Sequence, residues 1–263
     1  FNLLIIKFSN MFFLSSPLEQ FQILPIIPIN VGVFDFSITN ATIILAIGLG
    51  SFIFVLYSLL SEEGNFYVVP NRIQYIVEVI YSVVYGLLND NVGSVGKSFF
   101  PYVFTLFTFV LISNIIGLVP YSFTVTSHLI VTFALAFMTF VGINLICIRE
   151  HGINILSLFL PPGSSMVLAL LLVPIELVSY IFRPISLSVR LFANMMAGHT
   201  LLKVIAGFAW TMMLAGGGLL IAHTIPLAIL VVLMLLELGV AAIQAYVFTI
   251  LTCIYLNDAI HLH

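Results

Sequence analysis

The sequence predicts an all-α polytopic membrane protein with about five transmembrane helices and one amphipathic interfacial helix. Composition is the first observation: the chain of 263 residues is 62% hydrophobic and 6% charged, whereas a soluble domain is about 25% charged. The second is a mean hydropathy of +1.26. The third is a series of charge-free runs, each matching the roughly 20 residues that a helix needs to cross a bilayer. A soluble enzyme and a disordered protein are excluded, as is a nucleic-acid binder, because the chain has only 7 Lys and Arg residues.

Residues 1–37 form an N-terminal segment that precedes the first apolar run. Its first part, residues 1–15, is short and apolar and is a candidate for part of a processed leader. The first predicted span covers residues 38–60, which carry no Asp, Glu, Lys or Arg. This run is long enough to cross the hydrocarbon core as one helix.

Residues 71–92 have a different character from the spans. Arg72, Glu78 and Asp90 interrupt apolar residues that recur at helical spacing. A helix with one apolar and one polar face lies at the membrane surface more readily than across it. This segment therefore predicts an amphipathic helix at the interface.

The longest charge-free stretch lies in the middle of the chain. From Ser98 to Ile148 the sequence has no Asp, Glu, Lys or Arg, which is enough for two spans. Pro120 marks the turn between them. The stretch predicts a helical hairpin over residues 99–148.

Two very long apolar helices are predicted in the last third, over residues 165–203 and 216–257. At about 1.5 Å per residue each exceeds the thickness of a bilayer core. They must therefore tilt, bend or extend past the lipid. Together they predict a long tilted hairpin over residues 165–257, within a single membrane domain of residues 1–263.

Ionisable side chains are concentrated in this last hairpin. An Arg at mid-bilayer costs about 2.5–3.5 kcal/mol on insertion scales, so each such group should face protein or water. Arg183, which precedes Pro184, is compatible with a structural interhelical salt bridge. His199 and Glu237 are compatible with a hydrogen-bonded structural pair, a proton relay or ligands of a divalent metal such as Zn²⁺. Their spacing alone does not choose between these readings. The ionisable residues within these helices are Glu176, Arg183, Arg190, His199, His223 and Glu237, and Lys203 lies at the end of the first of them.

Four sequence motifs, in the right order, resemble the a subunits of F-type ATP synthases. The first two are SLSVRLFANMMAGH at 186–199 and ELGVAAIQAYVF at 237–248. The third is IGLVPYSFTVTSH at 116–128, and SPLEQF at 16–21 resembles the mature start of mitochondrial members. The resemblance runs from about residue 16 to the C-terminus.

The resemblance implies a role for each of six polar residues. Arg190 would be the family's invariant arginine, which faces a rotating ring of c subunits and prevents a proton short circuit. Glu176 would belong to the matrix-side half-channel, and Asn194 would be a polar position one turn from the arginine. The half-channel on the intermembrane-space side would hold His199, Glu237 and Gln244. His199 and Glu237 carry a base and an acid in the order of mitochondrial members, exchanged relative to bacterial ones.

The same resemblance implies a proton-translocating subunit that is not itself an enzyme, in the mitochondrial inner membrane. Its expected partners are the c-ring, around which the last two helices would tilt, the peripheral stalk, other membrane-sector subunits, lipids such as cardiolipin, and protons. No cofactor is expected apart from the metal considered at His199 and Glu237. The chain has no phosphate-binding loop of the GxxxxGK[ST] type.

Two other functional classes remain open on the residues alone. A proton-coupled secondary transporter would also bury Arg, Glu and His, although such transporters usually show repeats and broken helices in both halves. An intramembrane hydrolase would need Ser164 or Ser165 with His223, and the sequence has no GxSxG elbow.

Overall fold

The computed structural model of the chain describes residues 16–31, 34–61, 70–119, 122–152, 166–215 and 222–260. The candidate leader at 1–15, the turn at Pro120 and the serines of the hydrolase hypothesis lie outside these residues. Six α-helices make up most of the described chain. They are α1 (Asn40–Ser61), α2 (Arg72–Val92), α3 (Phe100–Gly117), α4 (Leu129–His151), α5 (Met166–Ala215) and α6 (Thr224–Ile260).

The lengths and compositions of these helices confirm the predicted all-α polytopic membrane protein. α1 contributes the shorter apolar stretch Asn40–Phe54. The interfacial position of α2 and the tilt of α5 and α6 stay predictions. Four segments are long and apolar enough to cross a membrane: Arg72–Gly117, Leu129–His151, Leu171–Ala215 and Thr224–Ile260.

A small β-ribbon precedes α1, and the sequence patterns did not predict it. β1 (Pro25–Ile27) pairs antiparallel with β4 (Ile38–Thr39), and β2 (Asn30–Val31) pairs antiparallel with β3 (Phe34–Asp35). The Asn40 side chain ties the ribbon to the start of α1. Its Oδ1 accepts a hydrogen bond from Leu24 N at 3.2 Å, and its Nδ2 donates to Gln22 O at 3.1 Å.

Polar side chains define where the first two helices begin. At α1, Thr39 and Thr42 exchange hydrogen bonds between side chain and backbone N–H at 3.0 and 3.4 Å, as in a capping box. At α2, Asn71 Oδ1 accepts from Arg72 N at 2.7 Å. α2 ends at Val92 and is capped by Gly93, whose φ of 75° is a conformation that favours glycine.

The last two helices are longer than a bilayer requires. α5 has 50 residues and α6 has 37, which correspond to about 75 Å and about 55 Å. α5 continues to Ala215, beyond the predicted end near residue 203. Residues 204–215 are apolar and contain only Gly207 as a weak helix former, so nothing local stops the helix. Pro174 and Pro184 lie within α5.

The chain divides into two compact units. The first comprises Phe1–Gly48, Ser113–His128 and Phe192–Ile243. The second comprises Leu49–Ile112, Leu129–Leu191 and Gln244–His263. Each unit therefore takes one part of α5 and one part of α6.

The larger of the two clusters of buried apolar residues in the described chain lies in the second unit. α2, α3, the first part of α5 and the last part of α6 all contribute fully or nearly fully buried side chains to it. This packing fixes the faces of α5 and α6 that turn inward in this unit. Its members include Val84, Leu88, Val103, Val110, Leu187, Leu191, Phe248 and Leu256.

Candidate functional site

His199 and Glu237 lie together in the first unit. His199 Nε2 on α5 is 3.5 Å from Glu237 Oε1 on α6, and the two side chains are 14% and 5% exposed. The pair lies within ion-pair distance but lacks hydrogen-bond geometry. Among the described residues, no group hydrogen-bonds His199 Nε2 or either carboxyl oxygen of Glu237. Buried polar atoms are usually paired, so this orphaned set marks a candidate functional site.

Gly198 allows the Glu237 carboxyl group to lie against α5. A Cβ atom at residue 198 would be 2.6 Å from Glu237 Oε1 and 2.9 Å from Glu237 Cδ. These distances are shorter than real Cβ contacts allow. The absence of a side chain at Gly198 thus determines how closely the carboxyl group approaches the helix that carries His199.

A cavity of about 270 Å³ opens beside this pair. Its polar lining comes from Asn194 and Glu237, and the other lining residues are mostly leucine and other apolar residues of α5 and α6. Since a water molecule takes about 30 Å³ of liquid, the cavity has room for several. It therefore places water-accessible volume beside a buried carboxyl group.

Asn114 is a buried polar residue of the same unit that the sequence analysis missed. Its side chain is fully buried, and its Nδ2 donates to Ala241 O at 3.3 Å. Ala241 is one turn beyond Glu237 on α6. Asn114 Oδ1 has no hydrogen-bond partner among the described residues. The sequence did contain a signal for this residue, because Asn114 is an amide within the charge-free run of α3 and lies two residues before the third motif.

The N-terminal segment Ser16–Phe21 also contacts this region of α5. The Phe21 ring meets the His199 ring edge-on, with centroids 6.5 Å apart and an interplanar angle of 76°. Lys203 Nζ donates to the backbone carbonyl of Ser16 at 3.3 Å. Lys203 follows His199 by one turn, so the segment contacts two successive turns of α5.

The second unit contains a different ion pair. Arg183 Nη1 on α5 donates to Asp258 Oδ2 on α6 at 3.3 Å. The Arg183 guanidinium carbon also lies 5.1 Å from the Tyr180 ring centroid and 4.9 Å from that of Tyr255. The structure thus shows the interhelical salt bridge that the sequence left open for Arg183. Its partner, Asp258, is far away in sequence, so spacing did not identify it.

The other three predicted site residues, Glu176, Arg190 and Gln244, belong to the second unit. No hydrogen bond or ion pair among the described residues links them to one another. Arg190 is exposed, and it forms no hydrogen bond or ion pair to the described residues. Its neighbours Leu187 and Leu191 are buried, whereas Arg190 itself is exposed. Glu176 and Gln244 are partly buried.

The described residues contain no group of three or more His, Cys, Asp or Glu side chains placed to hold a metal ion. A metal at His199 and Glu237 would therefore have two protein ligands from this part of the chain. Catalytic zinc sites use three protein ligands and structural sites four. The metal hypothesis for this pair stays a prediction.

The arrangement around Glu237 suits the exchange of protons. A carboxyl group next to both an imidazole and water-accessible space can give and take protons, and its oxygens are not committed to other partners. The exposed Arg190 supplies a fixed positive charge elsewhere on α5, because a guanidinium stays protonated at all accessible pH values.

Comparison with known proteins identifies the family of the chain. The family described as ATP synthase A chain matches residues 7–257. A protein named ATP synthase subunit a from Pylaiella littoralis is 58% identical over 249 residues, covering 95% of this chain and 99% of its own length. Proteins of the same name from Chondrus crispus and Paramagnetospirillum magneticum are 50% and 46% identical. These cover 96% and 95% of this chain, and 98% and 100% of their own lengths. The chain therefore belongs to the ATP synthase A chain family, as a membrane-sector subunit of a complex for ATP synthesis and proton transport.

Proposed function

We propose that the chain is the proton-conducting stator subunit, with two offset half-channels that pass protons to and from the carboxyl groups of a c-ring. Arg190 stands between the two half-channels and prevents a short circuit. The observation that carries the proposal is the buried His199–Glu237 pair, whose facing polar atoms are unpaired within the described chain. Glu237 also lines a cavity of about 270 Å³. Such a pair is costly to bury and is explained by a functional use.

One half-channel is assigned to the first unit. Water in the cavity exchanges a proton with Glu237, and His199 provides a base beside it. Asn194 lines the same cavity and offers an amide that can orient water. Gln244, two turns beyond Glu237 on α6, is proposed as a polar residue of the intermembrane-space half-channel on the strength of the family resemblance alone. This half-channel opens to the intermembrane space.

Arg190 acts through its permanent charge. Its exposure on α5, without a partner among the described residues, supports a surface that a second protein covers. A guanidinium there favours the ionised form of a ring carboxyl group at one angular position. Since it does not release its proton, protons travel around the ring rather than directly between the half-channels. Glu176 is proposed as the carboxyl group of the matrix-side half-channel.

The remaining assignments follow from the family resemblance. The chain is proposed to reside in the mitochondrial inner membrane, with the c-ring, the peripheral stalk and lipids such as cardiolipin as neighbours. It performs no bond-making chemistry, since its polar sites move protons only. A divalent cation such as Zn²⁺ would compete with protons at His199 and Glu237 rather than act as a resident cofactor.

Replacement of Arg190 tests the proposal. Arg190→Ala should abolish proton-driven ATP synthesis while the complex still assembles, because the exposed side chain makes no contact that holds the described helices together. ATP synthesis and passive proton leak are measured in vesicles containing the assembled complex, and native gel electrophoresis checks assembly. Arg149→Ala, at an exposed position near the end of α4, is the matched control.

Two results would contradict the proposed function. Normal coupled synthesis in Arg190→Ala would remove the role of the guanidinium. Proton-gradient-driven uptake of a solute by the chain purified without a ring would instead support the secondary transporter.

A further inference from the structure

We propose that Phe21 is a positioning residue for His199 and that the segment Ser16–Phe21 shields the His199–Glu237 pair from water and dissolved reagents. The inference rests on the proposed role of this pair in proton transfer. It adds the segment Ser16–Phe21, which precedes the six α-helices, to the site formed by His199 and Glu237. The observations behind it are the ring contact, the anchor at Lys203 and the local fold of the segment.

The segment has a defined conformation of its own. Pro17–Phe21 forms a short 3₁₀ helix, and the Ser16 side chain accepts a hydrogen bond from Leu18 N at 3.3 Å. Gln22 N donates to Glu19 O at 3.1 Å at its other end. Pro17 at the first position is suited to such a start because its φ is already helical. The turn therefore presents Phe21 on a constrained backbone.

Two contacts hold this turn on α5. The Lys203 ammonium group donates to the Ser16 carbonyl at one end, at 3.3 Å. The Phe21 ring lies edge-on to the imidazole at the other end, at 6.5 Å between centroids. Edge-to-face aromatic pairs have this geometry and are favourable. Because His199 and Lys203 lie one turn apart, both contacts fall on the same face of the helix.

The position of Phe21 limits the orientations that the His199 imidazole can adopt. His199 Nε2 is buried and faces Glu237 Oε1 at 3.5 Å, and no hydrogen bond from the described residues fixes this nitrogen. With Glu237 on one side and Phe21 in ring contact, few orientations of the imidazole remain. Within the first unit, the charged side chains of the described segment and of the parts of α5 and α6 that face it are Glu19, Lys203 and Glu237. Only Glu237 is within ion-pair distance of His199.

Chemical modification of His199 measures this shielding directly. Complexes assembled with wild-type or variant chains are treated with diethyl pyrocarbonate, and modification of His199 is followed by mass spectrometry. Phe21→Ala should raise the modification rate by about three- to tenfold, the range that corresponds to loss of one aromatic pair. Phe21→Tyr should keep the wild-type rate because the ring remains. Ile23→Ala, which removes an exposed apolar side chain just outside the segment, should have no effect.

Proton flux in the same vesicles supplies the second readout. Phe21→Ala should slow proton-driven ATP synthesis about threefold, because the imidazole samples orientations away from Glu237, and Phe21→Tyr should restore it. A purely structural role would not separate Ala from Tyr while assembly stays unchanged. If the Phe21→Ala complex does not assemble, Lys203→Met carries the test, with Lys203→Arg as the variant that keeps the donor.

The outcomes separate this inference from the proposed function. An unchanged His199 modification rate in Phe21→Ala, or in Lys203→Met where the first variant fails to assemble, overturns the shielding role. The modification readout requires no proton transport. Unchanged flux in Glu237→Gln would count against the proposed function, whereas lost flux in Glu237→Gln with wild-type behaviour of Phe21→Ala would overturn the positioning role alone.

Discussion

Two pairs, each of one acidic and one basic side chain, join α5 and α6, one in each compact unit, and they have similar lengths but different surroundings. His199–Glu237 spans 3.5 Å in the first unit, and Arg183–Asp258 spans 3.3 Å in the second. Both link residues distant in sequence, and both involve partly or fully buried groups. Distance alone would assign them the same role.

The surroundings of the two pairs separate them. Arg183 hydrogen-bonds Asp258 and has the rings of Tyr180 and Tyr255 near its guanidinium. The cavity beside it is about 20 Å³, roughly enough for one water. His199 and Glu237 make no mutual hydrogen bond, and Glu237 lines a cavity of about 270 Å³.

This difference indicates what each pair does. A guanidinium with a carboxylate and two aromatic neighbours has its charge satisfied, so it stabilises the contact between the helices. A carboxyl group with two free oxygens and nearby space for water is poorly suited to hold helices together. It is well suited to exchange protons. The comparison can be tested by removing one group at a time from each pair.

The largest effect is expected at Glu237. Glu237→Gln should lower proton flux through the assembled complex by about a hundredfold, since a positioned proton-transfer group contributes about 10²–10⁴ in rate. Thermal stability should fall little, because the carboxyl oxygens have no hydrogen bond to lose within the described chain. Flux is measured as acidification or alkalinisation of vesicles under a fixed potential.

A matched control is available for this change. Glu150→Gln makes the same chemical replacement at an exposed position near the end of α4 and should leave flux unchanged. If Glu237→Gln conducts protons at the wild-type rate across a range of pH, the pair is structural and the contrast with Arg183–Asp258 disappears.

At the second pair we expect an effect on stability. A double-mutant cycle of Arg183→Met and Asp258→Asn should give a coupling energy of about 1 kcal/mol, as for partly exposed ion pairs. Arg183→Met alone should be the more destabilising change, by about a further 1 kcal/mol, because it also removes two cation–π contacts. Thermal unfolding of the solubilised complex measures all four forms. Additive effects would show that the two charges do not stabilise each other.

Sequence patterns were sufficient for the fold class because lipid imposes a simple rule on composition. Charge-free runs indicate spans wherever they occur, since unpaired backbone groups and charges are excluded from the hydrocarbon core. The β-ribbon before α1 could not be predicted from charge-free runs. It depends on pairs such as Pro25 with Thr39 and on hydrogen bonds of Asn40, none of which has a periodic pattern.

Contacts between distant residues were likewise not available from spacing. The sequence identified His199 and Glu237 as ionisable groups in apolar helices, but only the structure shows them 3.5 Å apart. It also shows that the partner of Arg183 in the interhelical salt bridge is Asp258. Asn114 and Phe21 were missed because their relevance depends on α6 and α5, respectively, which contact them from far along the chain.

The smallest effect is expected from Gly198→Ala. A Cβ there would lie 2.6 Å from Glu237 Oε1, so the carboxyl group must move away from its present position. Displacing a packed side chain costs about 1 kcal/mol or more, which corresponds to about fivefold in the population of the productive arrangement. Proton flux should fall by about that factor, measured in the same vesicle assay.

Gly207→Ala on the same helix isolates the cause, because a Cβ there would meet nothing within 4 Å. Replacing Gly with Ala inside a helix favours the helix by about 1 kcal/mol, so Gly207→Ala should be slightly more stable than the wild type, and in Gly198→Ala this gain should roughly offset the cost of the displaced side chain. A loss of flux confined to residue 198 must then come from the displaced carboxyl group and not from a weakened helix. Equal flux in both variants would show that the position of Glu237 tolerates such a shift, and the His199–Glu237 geometry would no longer distinguish this pair from Arg183–Asp258.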